Sequence, residues 1–449
     1  MTSTETISVN QVTSCAIIHS HYITSDKRKM PKGINLAKII EKELPAELVN
    51  FMWLAGEIAH TREERLYLVG GVVRDLLLEQ VNLDLDLVVE GNAIELAQRL
   101  KELNQGKITT HPRFNTAKLQ WDKWSVDLAT ARAETYAQPG ALPSVTPSSI
   151  DDDLSRRDFT INAMAVSLNP GYYGRLVDPH NGRNDLKDKL IRVLHEKSFI
   201  DDATRIWRGL RYEQRLDFHL EKKTLNLLQR DISRLDTISG DRIRYEIECV
   251  LQEKYPEKVF RRAEELGVLA KLHPSLKGNG WLAEKFDQVR RLGSPEPPET
   301  GLYLALLAYS LTGEEAGSLI SRLNLPKALA QTVRDTIAVK NRMRSLTIPG
   351  LSPSNIYRLL DGYSSQALVS NSLATESPVA SQNIRLFLNR LKDIKVSLTG
   401  EDLIRMGVAQ GPQIGEILEL LHQAKLNGKI TTRQDEEELV KGWLVTKQG

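Results

Sequence analysis

The chain has 449 residues, of which 60 are Lys or Arg and 58 are Asp or Glu, so its formal net charge is only +2. This balance excludes a protein that binds nucleic acid through an overall excess of positive charge, and any basic surface must be local. The two cysteines argue against a disulfide scaffold or a thiolate metal site, and no apolar run reaches the ~20 residues that a membrane helix needs. We therefore expect a cytoplasmic protein of roughly two to four domains with no membrane partner. The sequence leaves the oligomeric state undetermined.

The first 34 positions are polar and rich in Ser and Thr, and their apolar residues show no period. We predict a disordered N-terminal tail over residues 1–34. Residues 46–60 then show the apolar spacing of a helix, which we expect to pack against the first strand.

The segment YLVGGVVRDLLLEQVNLDLDLVV is the centre of the sequence pattern. An apolar strand runs into Gly70 and Gly71, and a helix carrying Arg74 follows, which lets backbone N–H groups approach an anion. The run LDLDLVV places Asp84 and Asp86 on one face of a second strand, while its leucines point into the core. Two carboxylates on one face repel each other unless a cation lies between them. The combination predicts a phosphate-binding turn beside a metal site.

Further strands and a long loop follow this motif. Residues 116–119 and 125–129 are predicted strands that extend the sheet. Asp127 is placed like a third inward carboxylate, although it could equally well cap the next turn. Residues 131–149 contain three prolines and a glycine and are predicted to form a long loop, of the kind that often covers an active site.

Arginines recur in two later segments. Arg156 and Arg157 lie between an acidic run and a predicted apolar helix, which is a more constrained setting than an exposed arginine pair. From about residue 198 onward the patterns are mainly helical. A predicted helix over residues 201–218 carries three arginines at steps of three: Arg205, Arg208 and Arg211. Because such steps drift by about 60° on a helix of ~3.6 residues per turn, these arginines follow a path that suits an elongated ligand such as a nucleoside triphosphate.

Five motifs, in order, resemble those of class II tRNA nucleotidyltransferases, a family that shares its superfamily with bacterial poly(A) polymerases. They are GGVVRD with DLD, RRDFTINAMA, DPHNGRNDLKDKLIR, DDATRIWRGLR and SGDRIRYEI, and the later segment LTGEDLIRMGVAQGPQIGEIL resembles the tail of long bacterial members. The resemblance implies an α+β protein with a mixed-sheet nucleotidyltransferase head of the polymerase-β type and an all-α remainder. We predict four structured parts: a head at 35–182, a neck at 183–262, a body at 263–345 and a tRNA-binding tail at 346–449.

The resemblance also implies a two-metal mechanism. Asp84 and Asp86 would hold two Mg²⁺ ions, and Asp127 is a candidate third catalytic carboxylate. Nucleotide phosphates and ribose would be bound by side chains and backbone of the motifs: Gly70, Gly71, Arg74, Arg157, Arg208 and Arg211.

Base choice would depend on Asp202 and Arg205, which we expect one helical turn apart. Cytosine and adenine both offer an amino donor beside a ring-nitrogen acceptor, which a carboxylate and a guanidinium can match. Uracil and guanine present the opposite pattern. The family's usual Glu-Asp pair is Asp201-Asp202 in this chain, which keeps the base-reading carboxylate but shortens its neighbour.

The motifs predict tRNA, ATP and CTP as partners but are shared by sister activities. Full CCA addition and addition of the terminal A alone are equally favoured. Members that add only CC tend to lack a loop like residues 132–147, and the balanced charge argues mildly against a poly(A) polymerase. A catalytically dead RNA-binding scaffold is also possible in this fold. It is disfavoured by Asp84, Asp86 and Arg157, because a protein released from catalysis has no reason to keep a repelling carboxylate pair.

Overall fold

The computed structural model describes residues 33–104, 106–135, 140, 143–293 and 299–448. The chain forms two units: the first contains residues up to 135 together with 145–188, and the second contains 136–144 and 189–449. Nearly all of the predicted N-terminal tail, residues 1–32, lies outside the described residues, as do 136–139 and 141–142 of the predicted loop. The boundary between the units falls at 188, close to the predicted end of the head at 182.

The first unit is built on a mixed seven-stranded sheet, as the resemblance implied. In chain order the strands in this part of the protein are β1 (Arg65–Val69), β2 (Leu85–Glu90), β3 (Lys107–His111), β4 (Thr116–Trp121), β5 (Trp124–Thr130), β6 (Arg132–Thr135), β7 (Ser144–Pro147), β8 (Ala165–Ser167) and β9 (Leu176–Val177). The sheet order is β3-β4-β5-β2-β1-β8-β9, while β6 and β7 pair separately. Strands β2 and β5 run parallel, and the other neighbours described in the large sheet run antiparallel.

The part of the first unit that the structure describes also contains six helices: α1 (Ala37–Glu43), α2 (Ala46–Thr61), α3 (Gly71–Leu77), α4 (Ala93–Asn104), α5 (Ile150–Ser155) and α6 (Gly182–Lys187). Helix α2 packs against β1, which confirms the prediction for residues 46–60. Its side chains Leu48 and Met52 are fully buried, as are Leu66 and Leu68 of β1. This apolar layer supports the strand that leads into Gly70.

The structure corrects the predicted start of the second strand. Strand β2 begins at Leu85, so Asp84 precedes it and Leu83 is 42% exposed instead of buried. The cause is local: the side-chain Oδ1 of Asn82 accepts a hydrogen bond from the backbone N of Asp84 at 2.9 Å, which favours a turn over an extended strand.

Two further predictions were wrong in detail. The segment after Arg157 is not a helix but a 3₁₀ turn (Thr160–Asn162) followed by β8. Here Asp158 Oδ1 accepts hydrogen bonds from the backbone of Phe159 and the side chain of Asn162, which compete with helical bonds. The predicted loop over residues 131–149 contains the β6–β7 pair, whose Val145 and Thr146 supply extended β-branched residues.

The second unit is helical. Its helices are α7 (Ser198–Asp201), α8 (Thr204–Leu216), α9 (Lys222–Asp231), α10 (Gly240–Leu251), α11 (Pro256–Glu265), α12 (Gly280–Gly293), α13 (Thr300–Ala308), α14 (Gly313–Arg322), α15 (Lys327–Asn341), α16 (Met343–Leu346), α17 (Pro353–Leu360), α18 (Ser365–Ala374), α19 (Pro378–Asn389), α20 (Gly400–Arg405), α21 (Pro412–Leu426) and α22 (Arg433–Gln448). Two short strands, β10 (Leu190–Ile191) and β11 (His219–Leu220), pair in parallel. The predicted continuous helix over residues 201–218 was wrong, because the chain breaks between α7 and α8.

Separate apolar cores lie among the C-terminal helices. One core includes Ile356, Leu368, Ile384 and Phe387. The last core joins α20, α21 and α22 through Leu403, Ile417, Leu421 and Val440. The predicted divisions at 262 and 345 lie within the helical unit and stay predictions. None of the helices in the described ranges is both long and apolar enough to cross a bilayer.

Candidate active site

Strand pairing brings the carboxylates of the first unit together. Asp86 of β2 lies in register with Asp127 of the parallel strand β5 and with Val69 of β1 on its other side. Because paired residues point to the same face of a sheet, Asp86 and Asp127 share a face. Asp84 lies two residues before Asp86, on an exposed turn. The register thus places Asp86 beside Asp127, and the catalytic role of the three carboxylates stays a prediction.

The electrostatics at Asp86 are unfavourable for a bare carboxylate. Burial and the negative charge of Asp84 raise the pKa of Asp86 to about 6, and Asp127 adds to this effect, although Arg157 and Lys118 act in the opposite direction. Lys118, opposite Asp127 on β4, donates to Asp127 Oδ2 at 2.9 Å. The protein therefore maintains an excess of negative charge around Asp86.

These residues fit a divalent cation. Carboxylate oxygens are hard ligands, and a cation beside Asp84 and Asp86 would offset the repulsion that raises the pKa of Asp86. No cluster of three or more acidic, His or Cys side chains is arranged to hold a metal in the part of the chain that the structure describes. Mg²⁺ commonly binds through one or two carboxylates with water and substrate phosphates as its other ligands, so the donor set suits that ion.

Gly70 lies beside both Asp86 and Arg157. Its φ of +79° is one that L side chains rarely adopt, and a Cβ on Gly70 would lie 3.0 Å from Arg157 Nη1 and 3.5 Å from Asp86 Oδ2. Arg157 donates from Nη2 to Asp153 at 3.0 Å, while its buried Nε has no hydrogen-bond partner among the described residues. The guanidinium nitrogen nearest Gly70 is Nη1, which is therefore the atom placed to donate to an anion bound at this turn.

Arg74 is buried and bonded to other protein groups beside the Gly70-Gly71 turn. It is only 3% exposed, and it donates to both carboxylate oxygens of Asp75, at 2.7 and 2.9 Å, and to Asn162 Oδ1 at 2.8 Å. These contacts use Nε and both terminal nitrogens, although Nη2 also lies 3.5 Å from a Cβ built on Gly71, and the prediction that Arg74 binds phosphate stays a prediction.

A chain of hydrogen bonds extends from Arg74 to the exposed carboxylate. Asp75 Oδ2 accepts from Asn82 Nδ2 at 2.7 Å, and Asn82 Oδ1 accepts from the backbone of Asp84 at 2.9 Å. The buried Arg74 thus fixes the turn that presents Asp84. The chain of contacts thus runs from Arg74 through Asp75 and Asn82 to the backbone of Asp84.

Asp153 holds both arginines of the RRD motif. Its Oδ1 accepts from Arg156 Nε and Nη2 at 2.9 and 2.7 Å, and its Oδ2 accepts from Arg157 Nη2. Burial by itself would raise the pKa of this fully buried carboxyl, but the charges of Arg157 and Arg156 and the hydrogen bonds they donate outweigh burial and lower the pKa. Arg156 also donates to Glu134 of β6 at 2.8 Å, so the RRD motif is tied to the strand pair β6–β7.

In the second unit, Asp202 lies at the break between two helices. Its backbone is extended, with φ −143° and ψ 100°, and Asp201 ends α7. Asp202 Oδ1 accepts from the backbone N and the hydroxyl of Thr204, at 3.0 and 2.7 Å, which forms a local turn just before α8. Asp202 and Arg205 are one turn apart, since the backbone N of Arg205 donates to the carbonyl of Asp202 at 3.2 Å, but Asp202 lies before α8 and not within one continuous helix.

The three arginines of α8 differ in their surroundings. Arg205 is 5% exposed and donates from Nη1 to Ser198 Oγ at 2.7 Å. Arg211 is 8% exposed and lies 3.5 Å from Glu253 and 3.8 Å from Glu246. Arg208 is the most exposed of the three and lines a cavity of about 340 Å³ together with Asp202, Thr204, Asp241, Arg242, Tyr245 and Glu246. The three arginines of the predicted path therefore differ in burial, and Arg208 is the most exposed of them.

Sequence reasoning missed several residues that support the site. Asn82 and Asn162 gave weak signals, since a single Asn near a motif is usually a turn residue. Asp153 was noticed only as part of an acidic run, although its spacing of three and four from Arg156 and Arg157 is typical of helical ion pairs. Arg242 lies in the SGDRIRYEI motif, and its sequence context alone indicates no specific contact.

The contacts of Asp153 predict a pH-dependent contribution to stability. Because its folded-state pKa lies below the value of ~4 for an unfolded Asp, the ionised form stabilises the fold at neutral pH, and this contribution is lost as the pH falls through the folded-state pKa. We expect Asp153→Asn to lower the free energy of unfolding by about 3 kcal/mol at pH 7, as removal of one partner of a buried ion pair does. Urea unfolding of both proteins between pH 7 and pH 3 measures this difference, which should narrow in acid. Asp151→Asn, at an exposed neighbour, is the control. A difference that stays constant over the whole pH range would contradict the assignment.

Two known domain families match separate parts of the chain. Residues 66–192 match the poly A polymerase head domain, and residues 217–278 match the probable RNA and SrmB-binding site of polymerase A. The first match contains the carboxylates and Gly70, and the second contains Arg242.

Curated relatives and solved structures extend this similarity to most of the chain. The A-adding tRNA nucleotidyltransferase of Geobacter sulfurreducens is 34% identical over 416 residues, which cover 89% of this chain and 47% of that longer protein. The A-adding tRNA nucleotidyltransferase of Halalkalibacterium halodurans is 33% identical over 436 residues, which cover 92% of this chain and 97% of that protein. The Thermotoga maritima CCA-adding enzyme complexed with tRNA superposes with a TM-score of 0.71 at 33% identity, and the match covers 92% of this chain and 100% of that one. On this similarity, the chain belongs to the tRNA nucleotidyltransferase family, which shares its head domain with poly(A) polymerases.

Proposed function

We propose that the protein transfers nucleotides from nucleoside triphosphates to the 3′ end of tRNA, and that the terminal adenosine is one of them. The observation that carries this proposal is the set of three carboxylates, those of Asp84, Asp86 and Asp127, near Gly70 and Arg157. It supports phosphoryl transfer because the reaction needs a cation held by carboxylates next to an anion-binding turn. Addition of the terminal A is the activity that A-adding and CCA-adding relatives have in common.

Phosphoryl transfer is assigned to residues of the first unit. Asp84 and Asp86 would hold Mg²⁺, which when bound supplies activation of the RNA 3′-hydroxyl and neutralises charge on the pyrophosphate leaving group. Arg157 would bind the triphosphate through Nη1, the guanidinium nitrogen nearest Gly70. Asp127, restrained by Lys118, would orient toward the same face and increase the negative charge there. Arg74 would keep Asp84 in place.

Base selection is assigned to residues of the second unit. Asp202 would accept a hydrogen bond from the exocyclic amino group of adenine or cytosine, and Arg205 would donate to the adjacent ring nitrogen. Uracil and guanine place a keto oxygen against the carboxylate, and this mismatch costs roughly 1 to 3 kcal/mol for each unsatisfied group. Arg208, accessible in the cavity, would contact phosphate, whereas Arg211 would act through its ion pairs with Glu246 and Glu253.

The RNA partner would be recognised mainly by shape. One enzyme of this kind serves every tRNA sequence, so contacts to phosphate and ribose are expected to dominate over contacts to bases. We assign this binding to the helical unit, whose residues 217–278 match a probable RNA-binding family. A tRNA substrate also supports the expected cytoplasmic location.

Poly(A) synthesis is the second candidate, favoured by the match of residues 66–192 to the poly A polymerase head domain. The two activities differ in substrate and in product length. A tRNA nucleotidyltransferase stops after the terminal A, whereas a poly(A) polymerase extends an unstructured RNA repeatedly.

Three tRNA transcripts test the proposed function. They end before the first C, before the second C and before the A, and each is incubated with labelled CTP or ATP and Mg²⁺. We expect a single A to be added to the transcript that lacks only A. The CTP reactions then separate full CCA addition from A addition alone. Failure to add A to this tRNA would overturn the proposal, and extension of an unstructured RNA by many A residues would favour the second candidate.

The metal-binding carboxylates give the next prediction. Asp86→Asn keeps the size of the side chain but removes the charge, so we expect nucleotide incorporation to fall by ~1,000-fold or more while tRNA binding stays within about twofold. The measurements are single-turnover incorporation and a filter-binding affinity. The control Asp122→Asn alters an exposed carboxylate on the β4–β5 turn, whose φ of +46° an Asn tolerates. Retention of more than a few per cent of activity by Asp86→Asn would exclude it as a metal ligand.

The base-reading carboxylate gives a separate prediction. Asp202→Ala removes the acceptor that distinguishes an amino group from a keto group, so we expect kcat/KM for ATP to fall by ~10 to 100-fold while UTP and GTP become detectable substrates. Arg208→Ala should weaken all four nucleotides alike, because a phosphate contact carries no base information. Values of kcat/KM for the four nucleotides on both variants separate these roles. Unchanged discrimination by Asp202→Ala would remove Asp202 from base selection.

A further inference from the structure

The two carboxylate oxygens of Asp202 have different surroundings. Three groups converge on Oδ1: the backbone N and the hydroxyl of Thr204 donate hydrogen bonds to it, and Nη2 of Arg242 forms an ion pair with it at 2.8 Å. By contrast, no donor among the described residues contacts Oδ2. The side chain of Asp202 is 19% exposed and lines the cavity of about 340 Å³. One oxygen is therefore committed to the protein, and the other is left for a ligand in the cavity.

Arg242 is itself held at two points. It lies in the first turn of α10, and besides its ion pair with Asp202 it donates from Nη1 to the backbone carbonyl of Gly140 at 3.1 Å. Because a guanidinium is planar, two partners on different terminal nitrogens fix its plane as well as its position. The side chain is 26% exposed, so this restraint acts with partial shielding from water.

We propose that Arg242 is a positioning residue for base selection: it holds Oδ1 of Asp202 so that Oδ2 alone accepts the amino group of the incoming base. This inference rests on the proposed function. A carboxylate bound through Thr204 alone lacks the charged partner in the cavity and can rotate about its Cβ–Cγ bond. A rotating carboxylate also places Oδ1 toward the base at changing angles, which weakens the distinction between an amino donor and a keto acceptor. Arg242 would thus affect base selection by holding the Asp202 carboxylate in one orientation, without contacting the base itself.

The test compares Arg242→Gln with Arg242→Lys. We expect Arg242→Gln to lower kcat/KM for ATP by ~10-fold and to raise the use of UTP and GTP relative to ATP by ~10-fold, which corresponds to the loss of one close, partly shielded ion pair. Arg242→Lys keeps the charge and one donor direction, so it should recover part of the selectivity. A residue with a merely structural role would lower all four nucleotides alike and would not be rescued in selectivity by lysine.

Two further variants keep the test decisive. Thr204→Val removes another donor to Oδ1 and leaves Arg242 in place, so it should relax selectivity in the same direction by a smaller factor, even if Arg242→Gln does not fold. Arg244→Gln is the matched control on the same helix. Arg244 pairs with Asp241 and Glu248 and donates to the carbonyls of Leu323 and Asn324, so its loss should change stability but not the ratio of nucleotides used.

The outcomes separate this inference from the function on which it rests. A wild-type protein that adds no nucleotide to tRNA would overturn both. A wild-type protein that adds A and rejects U and G, with Arg242→Lys and Thr204→Val keeping the wild-type ratio of nucleotides, would overturn the inference alone. Relaxed selectivity in the Arg242 and Thr204 variants, with Arg244→Gln unchanged, would establish it.

Discussion

The buried ion pair between Arg74 and Asp75 is the interaction on which the geometry of the first unit depends. It links three segments that are distant in sequence: the turn after β1, the segment that leads into β2, and the 3₁₀ turn at Asn162. A buried guanidinium left without its carboxylate would carry a large desolvation penalty, so the bond is kept or the local fold is lost. The exposed carboxylate Asp84 is connected to this network through Asn82, which bonds both Asp75 and the backbone of Asp84.

The two units handle charge in opposite ways. Around Asp86 the acidic groups are left in excess, so the site is electrostatically incomplete without a cation. In the helical unit the arginines face acidic partners: Arg242 faces Asp202, and Arg211 faces Glu246 and Glu253. A surface whose charges are paired suits recognition of an uncharged base. A site with excess negative charge, like that around Asp86, suits a reaction in which charge develops on phosphate oxygens.

The sequence predicted the elements that local pattern determines. Alternation in LDLDLVV and the Gly-Gly turn predicted two strands, a helix and a carboxylate face, because side-chain period and glycine conformation act over a few residues. The break at Asp202 could not be predicted this way, since the pattern of α8 continues through it. There, bonds from Thr204 and from Arg242, 40 residues later, determine the backbone. Arg74 shows the same limit: its motif suggested a ligand contact, and only the positions of Asp75 and Asn162 show that it is buried.

Residues 136–144 belong to the helical unit although the chain on both sides of them belongs to the sheet unit. Gly140, within this segment, accepts the hydrogen bond from Arg242 and approaches Thr237 so closely that a Cβ would lie 2.7 Å from Thr237 Oγ1. The helical unit is therefore discontinuous in sequence, because a short segment of it is encoded within the sheet unit. Recombination that exchanged the sheet domain between two such genes at residue 188 would also import a foreign piece of the helical domain. Such a hybrid would keep the helical domain's Thr237 and Arg242 but receive a different segment in place of Gly140, so these contacts would have to be re-established by further substitutions.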